Sequence, residues 1–208
     1  MTDKRIFQFS QWLIEKNPHA ITHFQEWLFY PGMLFGAQES WWGAGKKRPR
    51  PHEGLDMCFY RDREGAIHHW GRMVAIPLME DGVVQKISTD DFIGCSIYVI
   101  HPHLEMPSGE ALYSIYAHVT PIEKLHEGDR LRAGTLIAHV ADFKKSKAAM
   151  IDHFHFSLAL LPFSFLKKNM NWKTMADPAM VTLLNPLDHM ACRYGVRAYE
   201  EKEKQRSS

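Results

Sequence analysis

Residues 152–158 read Asp-His-Phe-His-Phe-Ser-Leu, and the apolar run carries on through Leu160. A period of two governs the stretch. His153 and His155 fall on one side and Phe154 and Phe156 on the other, as side chains do along a β-strand. The two histidines would stand about 6.6 Å apart at Cα, close enough for one to bind a metal ion while the other works beside it.

Runs of the same kind precede it: LDMCFY (55–60), RMVAIPL (72–78), GVVQKIS (82–88), CSIYVIH (95–101), ALYSIYAHV (111–119) and LRAGTLIAHV (131–140). Gly, Asp and Pro punctuate them, and no long amphipathic helix separates them. A mostly β body of antiparallel sheet or sandwich type is expected, not a series of βαβ units. Ahead of it, Ile6, Phe9 and Leu13, with Phe7 and Trp12, recur at helical spacing behind Thr2 and before Pro18, which predicts an amphipathic helix over 3–16. ITHFQEWLFYPG (21–32) is expected to be a second short helix stopping at Pro31-Gly32, and WWGAGKKRPRP (41–51) a loop. After Pro162 the chain to Met190 reads as loop, with a short helix near NPLDHMACRY (185–194). The resulting division is an N-terminal helical extension (1–45), a main domain (46–192) and a charged, solvated tail (193–208).

Bulk properties narrow the classes. A chain of 208 residues that is 45% hydrophobic has enough apolar surface for a sizeable core. Its net charge of +1 supplies no global field for nucleic acid or anionic lipid. The basic run KKRPRP is therefore read as a contact for an anionic substrate, not for nucleic acid. Cys58, Cys95 and Cys192 form no close pair and leave one over, so buried thiols are expected in place of a disulfide scaffold. The first twenty residues interrupt their apolar positions with polar ones, unlike a signal peptide, and no run reaches the length of a transmembrane span.

The chain holds 13 histidines, the commonest metal ligand and the usual acid or base near neutral pH. One of them opens His52-Glu53-Gly54-Leu55-Asp56. A helix would bring positions four apart to one metal, but Gly54 costs about 1 kcal/mol in a helix interior and LDMCFY follows at once. A straight strand would put His52 and Asp56 about 13 Å apart, too far for one zinc with ligands at about 2.0–2.2 Å. A loop that bends at Gly54 into a strand lets both reach one ion. The His-x-His above and His118, late in SIYAHV, supply candidates to complete the site.

PHEGLD, IYAHV and DHFHFSL, in that order, resemble the signatures of the LytM/lysostaphin-type zinc endopeptidases, which cleave peptide bonds in bacterial peptidoglycan. VAIPLMEDGVV (74–84), VIH (99–101), EGDRLRAGTLIAHV (127–140) and LNPLDHM (184–190) resemble supporting pieces of that family, so the similarity spans about residues 40 to 190. The resemblance implies a sheet fold of the duplicated-hybrid-motif type and one Zn2+ per chain. It implies His52, Asp56 and His155 as the zinc ligands, with the fourth position left to water. Two further histidines would be catalytic. His153 would take the water proton and pass it to the leaving amine, and His118 would orient the water or stabilise the tetrahedral intermediate. The implied substrate is a peptidoglycan stem or cross-bridge peptide, which implies the cell envelope or the outside of the cell, whereas the absence of a signal-peptide pattern and the unpaired cysteines lean the other way. A module that keeps the fold without the chemistry is the alternative. A phosphocarrier domain of related fold is a third reading, but it has no use for Asp56.

Three features depart from the family. FKKSKAAMID (143–152) replaces its Gly-rich turn beside the substrate groove, Ile137-Ala138 followed by His139 replaces its Ile-Gly, and Lys46 stands where some members place a tyrosine. His68, His69, His101 and His103 are read as surface or hydrogen-bonded residues, with His103 near the groove. Trp41 and Trp42 are either a substrate platform or core and lid packing. Glu53, the base in the helical analogy, has no role.

Overall fold

Alternating runs become strands where each apolar side finds a second layer to cover it. The structure, a computed structural model, describes residues 5–42, 46–89, 93–105, 109–143, 150–165 and 167–198. The chain begins with α1 (Phe9–Lys16) and β1 (Phe24–Phe29). There follow β2 (Leu55–Met57), β3 (Phe59–Asp62), β4 (Ile67–His69), β5 (Ala75–Pro77) and β6 (Gly82–Ser88). The long strands β7 (Cys95–Glu105) and β8 (Glu110–Pro121) lead to β9 (Arg130–Leu131), β10 (Leu136–Val140) and β11 (Phe154–Pro162). The described chain closes with α2 (Trp172–Met175), β12 (Thr182–Leu184) and β13 (Tyr194–Val196). The molecule is mostly β and antiparallel, as the period-two runs predict.

Nine strands form the larger sheet, with the order β12-β11-β8-β7-β6-β9. β2 adds to the first residues of β11, while β10 pairs with the last residues of β8 and carries β5 on its other side. One face of β11 presents Phe154, Phe156 and Leu158 to the main core, where Phe9 of α1 stacks 4.5 Å from Phe156, centroid to centroid. The opposite face of the sheet carries Tyr98, Ile115, Ala159 and Leu161, covered by Met170, Trp172, Met175 and Val181. β11 is thus buried on both sides, and each of its large apolar side chains contributes about 1.5–3 kcal/mol through burial.

A smaller sheet has the order β13-β1-β3-β4, with β13 parallel to β1. Its strands come from all three stretches of the division at 45/46 and 192/193. Segment 21–32 corrects the expectation of a second helix: it forms β1, followed by a 3-10 turn over Pro31–Met33. Its spacing of Phe24, Trp27 and Leu28 serves either structure. The aromatic residues favour a strand once β3 and β13 are there to pair with it, and the Trp27 indole donates to Ser10 Oγ (2.8 Å) of α1. The stretch after Pro162 is likewise more ordered than a loop, since α2 covers the outer face of the large sheet and β12 extends its edge beside β11. The short helix expected near 185–194 is a single 3-10 turn, Pro186–Asp188, and Tyr194 has already entered β13. The three cysteines are free thiols, and Cys58 is fully buried. The final stretch 200–208 lies outside the described residues.

His101 is fully buried rather than at the surface. Its Nδ1 donates to the Asp81 carbonyl (2.9 Å), and its Nε2 faces Ser114 Oγ (2.8 Å), which also meets the Tyr116 hydroxyl (2.9 Å). Burial, the largest influence, lowers its pKa from the ordinary 6.5 to about 4. The unfolded chain therefore takes up a proton that the folded chain refuses, so the stability present above pH 6.5 is lost as pH falls toward 4. Denaturant unfolding at pH 7 and pH 4.5 should show the wild type losing about 2 kcal/mol more than His101→Gln over that interval. Equal losses in the two proteins would remove His101 as a source of acid sensitivity.

Candidate metal centre

The site forms where three strands meet. His155, at the start of β11, lies opposite Asp56 of β2 on one side and Ala117 of β8 on the other. Phe154 and Phe156 turn into the core, so the period-two expectation for the His-x-His pair holds, and His153 and His155 both face the site. His52 precedes β2 in a loop pinned by His52 N–H to the Ala37 carbonyl (3.0 Å) and Gly36 N–H to the His52 carbonyl (2.9 Å). The bend through Gly54 is present, but for another reason than the one expected. Gly54 has no left-handed backbone angle; a Cβ there would lie 2.3 Å from the Phe156 carbonyl oxygen and 2.4 Å from Ser157 Oγ. Glycine is needed because the bend runs flush against β11.

His118 reaches the site through an irregularity in β8. Pairing with β7 shifts register between Cys95 and Ile97, and His118 adopts φ 59°, a left-handed angle rare for a residue with a side chain. Its carbonyl is held by Ala141 N–H (2.9 Å). The ring sits 4.7 Å from His153 and 6.1 Å from His155, centroid to centroid. All five predicted site residues, His52, Asp56, His118, His153 and His155, are therefore together and buried.

Three donor atoms converge: His52 Nε2, Asp56 Oδ1 and His155 Nδ1. Their separations are 3.1 Å (His52 to Asp56), 3.1 Å (His52 to His155) and 2.8 Å (His155 to Asp56). The outer nitrogens decide the tautomers. His52 Nδ1 faces the Leu34 carbonyl (3.0 Å), His118 Nδ1 the Ile93 carbonyl (3.0 Å) and His153 Nδ1 the Ile151 carbonyl (2.9 Å). A carbonyl only accepts, so each of these nitrogens carries the proton and each neutral ring presents an Nε2 lone pair. His155 Nε2 lies 2.9 Å from Ser157 Oγ, which accepts its proton when Nδ1 binds an ion. A carboxylate oxygen and two imidazole lone pairs in one buried triangle call for a cation. Ligands of a tetrahedral zinc at about 2.0–2.1 Å would stand about 3.3 Å apart, so the set fits such an ion after opening by a few tenths of an ångström. It is the His/Cys/Asp/Glu group with this geometry among the described residues.

Electrostatics agree with that assignment. Burial pushes Asp56 toward its neutral form, but the influence of the neighbouring imidazoles of His52, His153 and His155 outweighs it and holds the carboxyl well below its usual range. Burial lowers the pKa of His153 and of His155, against the pull of Asp56. It lowers His118 most, to about 3, helped by His153 and His155. The site sets an anionic carboxylate beside three imidazoles whose charged form burial disfavours.

Several contacts have no motif in the sequence. The Trp41 indole N–H donates to Asp56 Oδ2 (2.7 Å), and Arg48, from the basic run, brings its guanidinium 3.6 Å from the same oxygen and over the Trp42 ring. Trp172 places its ring 5.0 Å from His155. A cavity of about 120 Å³ opens onto the metal triangle and His118, with Trp42, Met150 and Trp172 among its walls. Trp41 and Trp42 thus belong to the site, Trp41 by hydrogen bond and Trp42 as wall. Glu53 also borders the cavity, outside the donor triangle. Of the segment 143–152 that departs from the family, residues 144–149 lie outside the described residues. His103 is away from this cavity, 3.7 Å from Glu80 beside a separate depression. His68 pairs with Asp62, and His69 meets the Asp152 carbonyl.

No protein-family model and no curated protein matches the chain. Solved structures do. The NMR solution structure of lysostaphin matches at 13% identity and a TM-score of 0.46, covering 97% of this chain and 61% of that one. Csd3 from Helicobacter pylori matches at 17% and 0.42, covering 88% and 38%. LytU matches at 15% and 0.41, covering 78% and 93%. The chain therefore spans less than two thirds of the length of the first two. The names agree with the resemblance carried by PHEGLD, IYAHV and DHFHFSL.

Gly54→Ala should destabilise the fold by about 1–3 kcal/mol and weaken metal binding, because the added methyl displaces β2 from β11 beside His155. Denaturant unfolding and metal titration of the variant check this; a protein with unchanged midpoint and affinity would contradict the close packing described.

Proposed function

We propose that the chain is a zinc-dependent metalloendopeptidase that hydrolyses peptide bonds in peptidoglycan stem or cross-bridge peptides. The observation that carries the reading is the convergence of His52 Nε2, Asp56 Oδ1 and His155 Nδ1 beside two further buried imidazoles whose lone pairs have no ligand role. Two His and one carboxylate leave a tetrahedral ion one open position, as hydrolytic zinc sites do and closed structural sites do not. The substrate class rests on the three sequence motifs and their order.

Zinc held by these three residues would supply an acidified water and polarise the scissile carbonyl. His153 is the proton acceptor. Its Nδ1–H is spent on the Ile151 carbonyl, its Nε2 lies 3.8 Å from Asp56 Oδ1 at the edge of the triangle, and burial keeps it neutral. The same Nε2 then returns the proton to the leaving amine. His118, its Nδ1 tied to the Ile93 carbonyl, is held beside His153 and offers Nε2 to orient the attacking water or meet the developing charge. Trp42, Met150 and Trp172 wall the approach and limit the water that reaches the reacting atoms.

Elemental analysis of the purified protein should find about one zinc per chain, and Asp56→Ala should lose it. His153→Ala should keep the metal while peptide hydrolysis drops on the order of 10²–10⁴-fold. The substrate is read from digests of purified peptidoglycan by mass spectrometry of the fragments. A protein that neither retains nor can be reconstituted with zinc would end the enzyme reading. Retained zinc with no new termini on any peptidoglycan would move the assignment to a binding module.

A further inference from the structure

We propose that Trp41 is a positioning residue that holds Asp56 to the metal through a single oxygen, an inference that rests on the zinc reading above. The two carboxylate oxygens have different surroundings. Oδ1 faces His52 Nε2 (3.1 Å) and His155 Nδ1 (2.8 Å), whereas Oδ2 accepts the Trp41 indole N–H (2.7 Å) and lies 3.6 Å from Arg48. Asp56 is only 2% exposed, so water is a poor substitute for either partner. For both oxygens to bind one ion, the carboxylate must turn Oδ2 away from the indole and break a charge-assisted hydrogen bond. Trp41 thereby opposes bidentate coordination, which would use up the position that hydrolysis requires to be open.

The indole is itself held in place. Its ring stands edge-on to His153 (5.2 Å, 86°) and to Trp42 (5.6 Å, 88°). Its backbone lies flush on Gly32, where a Cβ would come 2.6 Å from Trp41 N. Ser40 N–H to the Lys46 carbonyl (2.9 Å) and Arg48 N–H to the Gln38 carbonyl (2.8 Å) tie the two sides of this strap together, and the Arg48 guanidinium donates to the Gly32 carbonyl (3.0 Å). A tryptophan held this firmly, with its one donor on the carboxylate, matches the way outer partners orient metal ligands.

Trp41→Phe keeps the ring and deletes the donor. Competition with a chelator should show zinc affinity falling about 10–100-fold, and the cobalt-substituted variant should lose visible absorption intensity as the ion gains a fifth ligand. Trp12→Phe, on α1 against Gly134 and away from the centre, should leave affinity and spectrum within twofold. Equal affinity and an unchanged cobalt spectrum in Trp41→Phe, whatever its melting temperature, would overturn the proposal. Should that variant not fold, the unmutated protein still decides. The 15N-labelled Trp41 indole proton should stay downfield and slow to exchange on loading with zinc, and a shift to the position of a solvent-exposed indole would overturn it. Absence of zinc binding by the wild type would instead defeat the site reading on which this one rests.

Discussion

The chemistry of the centre depends on where the histidine protons are not. Backbone carbonyls at Leu34, Ile93 and Ile151 each take the outward N–H of one imidazole, and with that bond the inward nitrogen becomes a lone pair. A side-chain partner can rotate or titrate; a backbone carbonyl fixed by its own strand or loop does neither. The orientation of three rings is therefore set by the course of the main chain. His155 differs, because Ser157 sits two residues along the same strand and its hydroxyl adapts to either ring state.

That arrangement requires unusual strand behaviour at one end of a regular sheet. Over most of its length β11 pairs evenly with β8, and its phenylalanines anchor it in the core against Phe9. At the site end the regularity gives way. β2 replaces β12 as the second neighbour, Gly54 lets the loop from His52 pass without a side chain between, and His118 departs from extended geometry to turn its ring inward. Left-handed backbone at a histidine costs on the order of 1 kcal/mol or more, which the packed sheet around it offsets. Such local strain beside a rigid scaffold is where a functional group is expected to sit.

Sequence patterning revealed most strands of the large sheet, β12 excepted, and singled out the five residues as candidates, while their roles came from the family resemblance. A period of two declares a strand, and a His-x-His on its polar side declares two imidazoles on one face. The failures share a cause. The segment 21–32 has a pattern that suits helix or strand, and only pairing with β3 and β13 decides it. Trp41, Arg48 and Trp172 touch the site through tertiary contacts that leave no spacing to read. Gly54 was identified by position but not by reason, since close approach to Phe156 and Ser157 is a property of the assembled sheet. The irregularity at His118 is equally silent, for a strand with one turned residue has the same letters as a straight one.

The charge balance of the centre ties metal binding to folding. Asp56 is anionic and 2% exposed, and burial disfavours the charged form of His118, His153 and His155 beside it. An anion in such a place is compensated by the Trp41 N–H, the dipoles of the neighbouring rings and the Arg48 guanidinium, which stands 3.6 Å off its outer oxygen. Protonating an imidazole would supply a cation, yet its desolvation opposes that. A divalent ion would supply the missing charge at the point where the three donor atoms meet, without breaking any of the outward hydrogen bonds. Whatever binds the folded site and not the unfolded chain also stabilises the fold. An ion bound by His52, Asp56 and His155 would therefore also help hold β2 against β11.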